Sequence, residues 1–249
     1  MTPPSPRTSE PCTEVSVQCL ESADAVAAWV ADRISAEAEE AIRKRGRFGV
    51  VLAGGRTPVA AYTLLAGRAE EWERWHIFYG DERCLPVDHP ERNSQAAGAA
   101  WLERVALPGA NQYPIRAELG AEAAAADYAA AIAPMLPFDL VLLGMGEDGH
   151  TASLFPGLPL EDDGLVIPVH GAPKPPAERV SLTPRALAAS RSAVIIVTGA
   201  GKRPALDDWR RGRPLPVSRV ASLACATLVV DRDAWGPGPV TNLACHPSG

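Results

Sequence analysis

The sequence predicts an α/β fold: a three-layer α/β/α arrangement around a largely parallel sheet, Rossmann-like, in a single domain. Three observations carry this. Short continuous apolar runs such as Leu140–Leu143 and Ala193–Val197 read as strands buried on both faces of a sheet. Segments of helical periodicity separate these runs, the alternation that builds parallel sheets covered on both sides. The 249 residues contain no internal repeat and no linker long enough to divide them, and such a length suffices for one large α/β core.

Taken in order, residues 1–14 are rich in Pro, Ser and Thr and are expected to form a mobile tail, leaving 15–249 as the domain. Val15–Leu20 alternates as a short strand. Val26, Val30, Ile34 and Ala38 recur at helical spacing from Ser22 to about Arg45-Gly46. Arg47–Ala53 is the next strand and breaks at Gly54-Gly55, after which Thr57-Pro58 offers an N-cap followed by proline at the first helical position. Trp75–Tyr79 is a strand running into a Gly80-Asp81-Glu82-Arg83 turn. Residues 86–93 form a loop, and helices are expected over Ser94–Leu102 and Ala121–Ile132. The central strand follows. Beyond a proline-rich passage (APKPPAE, 172–178), Arg179–Leu182 is extended and Pro184–Ala189 makes a helical turn or two. Ala193–Val197 is a strand, Arg203–Arg210 a helix, and Ala226–Val230 a last strand before a Gly/Pro-rich tail.

A net charge of −6 argues against nucleic acid or an anionic membrane surface as partner, because phosphate backbones select basic faces. Five cysteines, an odd number without CxxC or zinc-ligand spacing, fit a reduced cytoplasmic compartment. The start lacks the apolar core of a signal peptide, and no apolar run approaches the ~20 residues that span a bilayer.

The chemistry concentrates at four strand ends: Gly54-Gly55-Arg56-Thr57, Gly80-Asp81-Glu82-Arg83, Gly144–His150 and Thr198–Lys202. If the strands are parallel, all four lie along one rim, where open α/β sheets bind ligands. The first is a glycine turn feeding a helix N-terminus, suited to an oxyanion; a tight strand-to-helix turn needs glycine in any case. It matches neither a P-loop nor GxGxxG. Lys202 opens a helix and suits an anion, or is a solvated lysine. Arg83 and Arg179 fit structural ion pairs as well as anion contacts. Within GMGEDGH, Asp148 stands two residues before His150 and can orient its imidazole, which is neutral at cellular pH and able to take a proton. His76, His89, His170 and His246 lack such a setting and read as structural or exposed. There is no HExxH or other metal-ligand spacing, and Ser153 lies outside any GxSxG elbow.

LAGGRTP (52–58), FYGDERCLPVDHPERNS (78–94), DLVLLGMGEDGHTASLFPG (139–157) and SLTPRALAASRSAVIIVTGAGK (181–202) together resemble 6-phosphogluconolactonases, in order and across most of the chain. Their superfamily includes glucosamine-6-phosphate deaminases, which share a sugar-phosphate site and a similar three-layer fold. The resemblance implies hydrolysis of 6-phospho-D-glucono-1,5-lactone to 6-phosphogluconate, in the oxidative pentose phosphate pathway, without metal or organic cofactor, by a monomer or small homo-oligomer. It implies His150 as general base with Asp148 beside it, and Arg83 near the reacting carbonyl. Gly54, Gly55, Arg56, Thr57, Asp81, Arg179 and Lys202 would bind substrate and its phosphate. The deaminases carry a glutamate five residues after the histidine, as in GHIAFNEP; here that residue is Phe155, which cannot relay a proton. Lactonases often have proline where this chain has Glu147. An amino-sugar-phosphate deaminase or isomerase, and a non-catalytic sugar-phosphate sensor, are the alternative readings.

Overall fold

The structure, a computed structural model, describes residues 14–159 and 163–245. Most of the expected N-terminal tail, and His246, lie outside the described residues; Glu14 already stands in the first strand. Numbered along the chain, the strands of the main sheet are β1 (Glu14–Leu20), β2 (Phe48–Leu52), β3 (Trp75–Tyr79), β5 (Phe138–Gly144), β8 (Ser190–Val197), β9 (Thr227–Asp231) and β10 (Leu243–Ala244). Their order is β10-β1-β9-β8-β5-β2-β3, and every pairing is parallel except that of β10 with β1. β2 is buried along its whole length and β5 up to Gly144 at its end, which is why their sequences read as unbroken apolar runs.

The helices are α1 (Ala23–Arg45), α2 (Arg56–Leu65), α3 (Asn93–Ala100), α4 (Ala121–Ile132), α5 (Pro184–Ala188), α6 (Arg203–Arg210), α7 (Pro216–Ala224) and α8 (Arg232–Trp235). α1 follows its sequence signals closely. Ser22 caps it by accepting from Ala25 N at 3.2 Å, and Gly46, at φ +74°, closes it with a bond to Ile42 O. Its buried stripe of Val26, Val30, Ile34 and Ala38 is the periodicity seen in the sequence.

From β2 the chain moves outward to β3, whereas from β5 it moves the other way to β8 and β9. Right-handed crossovers therefore put α1 and α2 on one face, where they pack against each other. The reversal creates a crevice between the carboxyl ends of β2 and β5, the place where such sheets bind ligands.

Several local expectations differ from the structure. Thr57 is not an N-cap and Pro58 is not the first helical residue: α2 begins at Arg56, Gly55 occupies the cap at φ +107°, and no side chain caps it. The Gly80–Arg83 stretch is no simple turn but leads into β4 (Asp81–Arg83), which pairs antiparallel with β7 (Arg179–Leu182), itself paired with β6 (Val166–Val169). α3 ends at Ala100, and a 3-10 turn covers Leu102–Arg104. β6 and α7 had no counterpart in the sequence reading, and the Gly/Pro-rich C-terminal stretch holds α8 and β10. β10 extends the sheet edge by pairing Leu243 and Ala244 with Val15 and Glu14.

Candidate active site

The four strand-end turns meet. Leu52–Gly55 after β2, Gly80, Asp81 and Arg83 after β3, Leu142–Gly146 with His150 after β5, and Lys202 after β8 line one cleft of about 290 Å³. Gly144 approaches the Gly54 carbonyl oxygen, at 3.8 Å from where a Cβ would stand. Thr57 Oγ1 and Thr198 Oγ1 share a hydrogen bond of 2.6 Å, tying the first turn to the fourth.

His150 sits in a tight turn in which Gly146 N donates to His150 O at 2.8 Å and Gly149, at φ +82°, donates to Gly146 O. Its Nδ1 bonds Asp148 Oδ1. A carboxylate can only accept, so Nδ1 carries the proton and Nε2 is left as the acceptor. Burial holds the imidazole below its usual pKa, outweighing the hydrogen bond and charge of Asp148 that would raise it. Burial alone would raise Asp148, but the bond and charge of His150 bring it below the usual carboxylate range. Asp148 does not line the cleft; it stands behind the ring. Gly146 is required, because a Cβ there would overlap both His150 Nδ1 and Asp148 Oδ1. Ala152, also lining the cleft, is held at φ +47°, a conformation costing about 1 kcal/mol or more in a non-glycine residue.

Phe155 is buried, its ring centroid 4.6 Å from that of His150. The Arg179 guanidinium lies 5.6 Å from the same ring. Arg179 is itself buried and donates from Nε to Pro176 O at 3.0 Å and from Nη2 to Lys174 O and Pro175 O, each at 3.1 Å. Arg83 is directly opposite it on β4. Like charges in that register repel, so the pair favours an anion in the cleft. Arg83 donates to Glu91 O, and its Nε is buried without a partner. An unsatisfied donor costs about 1–3 kcal/mol.

Asp81 has a different setting. Its Oδ1 accepts from Asn93 Nδ2 at 3.0 Å, its Oδ2 from Ser153 Oγ at 2.6 Å, and Arg179 Nη1 is 3.9 Å away. It borders the cleft while joining β4, α3 and the His150 turn. Lys202 is half-buried, and burial lowers its pKa against the raising effect of Glu147. Arg56 and Thr57 do not line the cleft: Arg56 is exposed and Thr57 is engaged with Thr198. What α2 turns toward the cleft is its uncapped N-terminus.

Among the remaining histidines, His76 is half-buried near Tyr113, His89 accepts from Glu91 N, and His170 lies exposed between Glu122 and Glu178. None lines the cleft.

Three contributors were not singled out in the sequence. Lys174 lines the cleft from the proline-rich loop, with Nζ 3.9 Å from Asp148 Oδ1. Asn93 lines it from the start of α3. Glu82, fully buried, accepts from Asn93 N, Ser94 N and Ser94 Oγ and faces the buried Arg92 at 3.6 Å. All three sit in stretches rich in charge and proline, and only their long-range partners give them a role.

Comparison with known proteins agrees with this geometry. The family described as glucosamine-6-phosphate isomerases/6-phosphogluconolactonase matches residues 21–229. A protein of Mycobacterium tuberculosis named 6-phosphogluconolactonase is 37% identical over 239 residues, covering 88% of this chain and 96% of that one. A rice protein named probable 6-phosphogluconolactonase 3, chloroplastic, is 38% identical over 206 residues; the match covers 73% of this chain but 63% of the rice protein's length. The crystal structure of a 6-phosphogluconolactonase from Thermotoga maritima superposes with a TM-score of 0.80 at 31% identity, covering 87% of this chain and 99% of that one. With the match running through all four turns of the cleft, the chain belongs to the glucosamine-6-phosphate isomerase/6-phosphogluconolactonase family.

Proposed function

We propose that the protein hydrolyses the ring ester of a 6-phosphorylated aldonolactone, converting 6-phospho-D-glucono-1,5-lactone to 6-phospho-D-gluconate. The observation that carries this reading is His150, bonded to Asp148, facing the same cleft as Lys202, Arg83 and the uncapped N-terminus of α2. One end of such a cleft suits a phosphate and the other an ester carbonyl.

In this mechanism His150 Nε2 takes a proton from water as the water oxygen bonds to C1. The carbonyl electrons move onto oxygen, giving a tetrahedral oxyanion. Collapse re-forms the carbonyl and breaks the bond from C1 to the ring oxygen, which receives the proton held by the imidazolium. The acid formed then ionises to a carboxylate and releases one proton. A positioned acid–base group supplies about 10²–10⁴-fold. Gly146, Gly149 and His150 already use their amides within their own turn, so the Arg83 guanidinium, which lines the cleft, is the better donor for the oxyanion. Such a donor contributes about 10²–10³-fold. Phosphate held by Lys202 and the start of α2 fixes the position of C1, so binding energy remote from the ester orients it. Asp81 and Arg179 act by holding the walls.

Phe155 favours the lactonase over the deaminase, because the buried ring next to His150 leaves no carboxylate to relay a proton during sugar-ring opening. The test is proton release from freshly made 6-phosphogluconolactone, measured above the spontaneous rate, alongside ammonia release from glucosamine 6-phosphate. Rapid lactone hydrolysis and no ammonia are expected. Ammonia release with lactone hydrolysis at the background rate would overturn the reading.

A further inference from the structure

We propose that Lys174 is a positioning residue for His150: its ammonium, carried on a loop whose backbone Arg179 clamps, stands against Asp148 and keeps the imidazole in its proton-accepting form. This rests on the reading of His150 as the base. The proline-rich loop that carries Lys174 is built to fix it. Ala172 N bonds Ala177 O at 3.0 Å across the base of the loop, and Arg179 donates to the carbonyls of residues 174, 175 and 176 in succession. Arg179 is buried and anchored in β7 opposite β4, so the loop's backbone is tied to the second sheet. The Lys174 side chain remains about half exposed and reaches 3.9 Å from Asp148 Oδ1, the oxygen that His150 Nδ1 bonds.

The need for a cation there follows from the charges around the ring. From its own turn His150 faces Asp148, with Glu147 near Lys202; β4 contributes Asp81 and Arg83, β7 contributes Arg179 beyond Phe155, and the turn after β8 contributes Lys202. Asp81 and Asp148 both favour a protonated imidazole. Asp81 is already met by Ser153, Asn93 and Arg179. Asp148 is not among the residues lining the cleft, and among the described residues its cationic neighbour within ion-pair distance, apart from His150, is Lys174. Lys174 offsets the carboxylate that orients the ring, so Asp148 fixes the tautomer without converting the base into its acid. Burial, the largest influence on the ring, acts in the same direction.

The experiment compares wild type, K174M and K174R in two readouts. The first is an NMR titration of the His150 imidazole in the substrate-free protein, its resonance assigned with H150Q. The second is kcat and KM against pH for the phosphorylated lactone. K174M is expected to titrate at higher pH than wild type and to lose roughly three- to tenfold in kcat at pH 6, a deficit that narrows toward pH 8. KM should change little, and K174R should restore the wild-type titration. An unchanged titration, or a KM raised about tenfold with an unmoved acid limb, would overturn the inference and make Lys174 a substrate ligand or a bystander. If the titration moves as expected while wild type hydrolyses no lactone, the proposed reaction fails and the Lys174–His150 coupling stands.

Discussion

At His150 two influences oppose each other: burial favours the neutral ring, and the Asp148 carboxylate bonded to Nδ1 favours the cation. Burial is the larger, and the sign of the pH dependence follows. In the proposed mechanism the working base is the neutral form, and a lowered pKa keeps it neutral further into acid. Activity should therefore persist below about pH 6.5, where an unperturbed histidine would already be half protonated, and fall only as the pH drops through the lowered value. A kcat profile with its acid limb above that point would contradict the account. H150Q should lose about 10²–10⁴-fold in kcat while KM stays within a few-fold, because the phosphate contacts proposed for Lys202 and α2 are untouched.

The turn after β5 and the junction of β4 with α3 are the elements that hold the site. Gly146 has no room for a side chain: a Cβ would meet His150 Nδ1 and Asp148 Oδ1. G146A should displace the pair and lower kcat by more than about tenfold, with the melting temperature moving far less than for a core substitution; equal kcat in variant and wild type would show that the turn can relax. Glu82 is buried between Arg92 and the first amides of α3. E82A would strand Asn93 N and Ser94 N and take one of its two carboxylates from Arg92, which keeps Glu118, so urea unfolding should show a loss of about 2–4 kcal/mol. Because Asn93 in turn bonds Asp81, activity should fall in any folded fraction as well. A variant as stable as wild type would remove Glu82 from the scaffold.

Over the whole molecule a net charge of −6 would repel a phosphate dianion, yet Lys202, Arg83 and Arg179 gather at one cleft. The crevice between β2 and β5 collects them because the direction of strand succession reverses there. Local attraction over a repulsive background is sensitive to screening, which has a range of about 8–10 Å at 0.1–0.15 M salt. KM for the phosphorylated lactone should rise with ionic strength, whereas hydrolysis of unphosphorylated gluconolactone should respond little. Parallel responses of the two substrates would separate the cationic cluster from phosphate recognition.

The sequence by itself determined the parallel strands of the main sheet, most of its helices and the turns that bear the chemistry. These signals are local: Leu140–Leu143 is apolar because both faces of β5 are covered, Ser22 and Gly46 cap α1 within a few residues, and the glycines mark strand ends. Even the meeting of the four turns could be read, since parallel strands put their carboxyl ends on one rim. Only the tertiary structure decided which side chains face the cleft. Asp81 gains Ser153 across 72 residues, Thr57 is taken up by Thr198 across 141, and Arg56 faces outward. The short β4, β6 and β7 acquire strand character by pairing with one another, and Lys174 enters the site because Arg179 fixes the backbone beneath it. Contacts of that span leave no periodicity in the chain, because they depend on where the sheet brings distant segments together rather than on what each segment prefers alone.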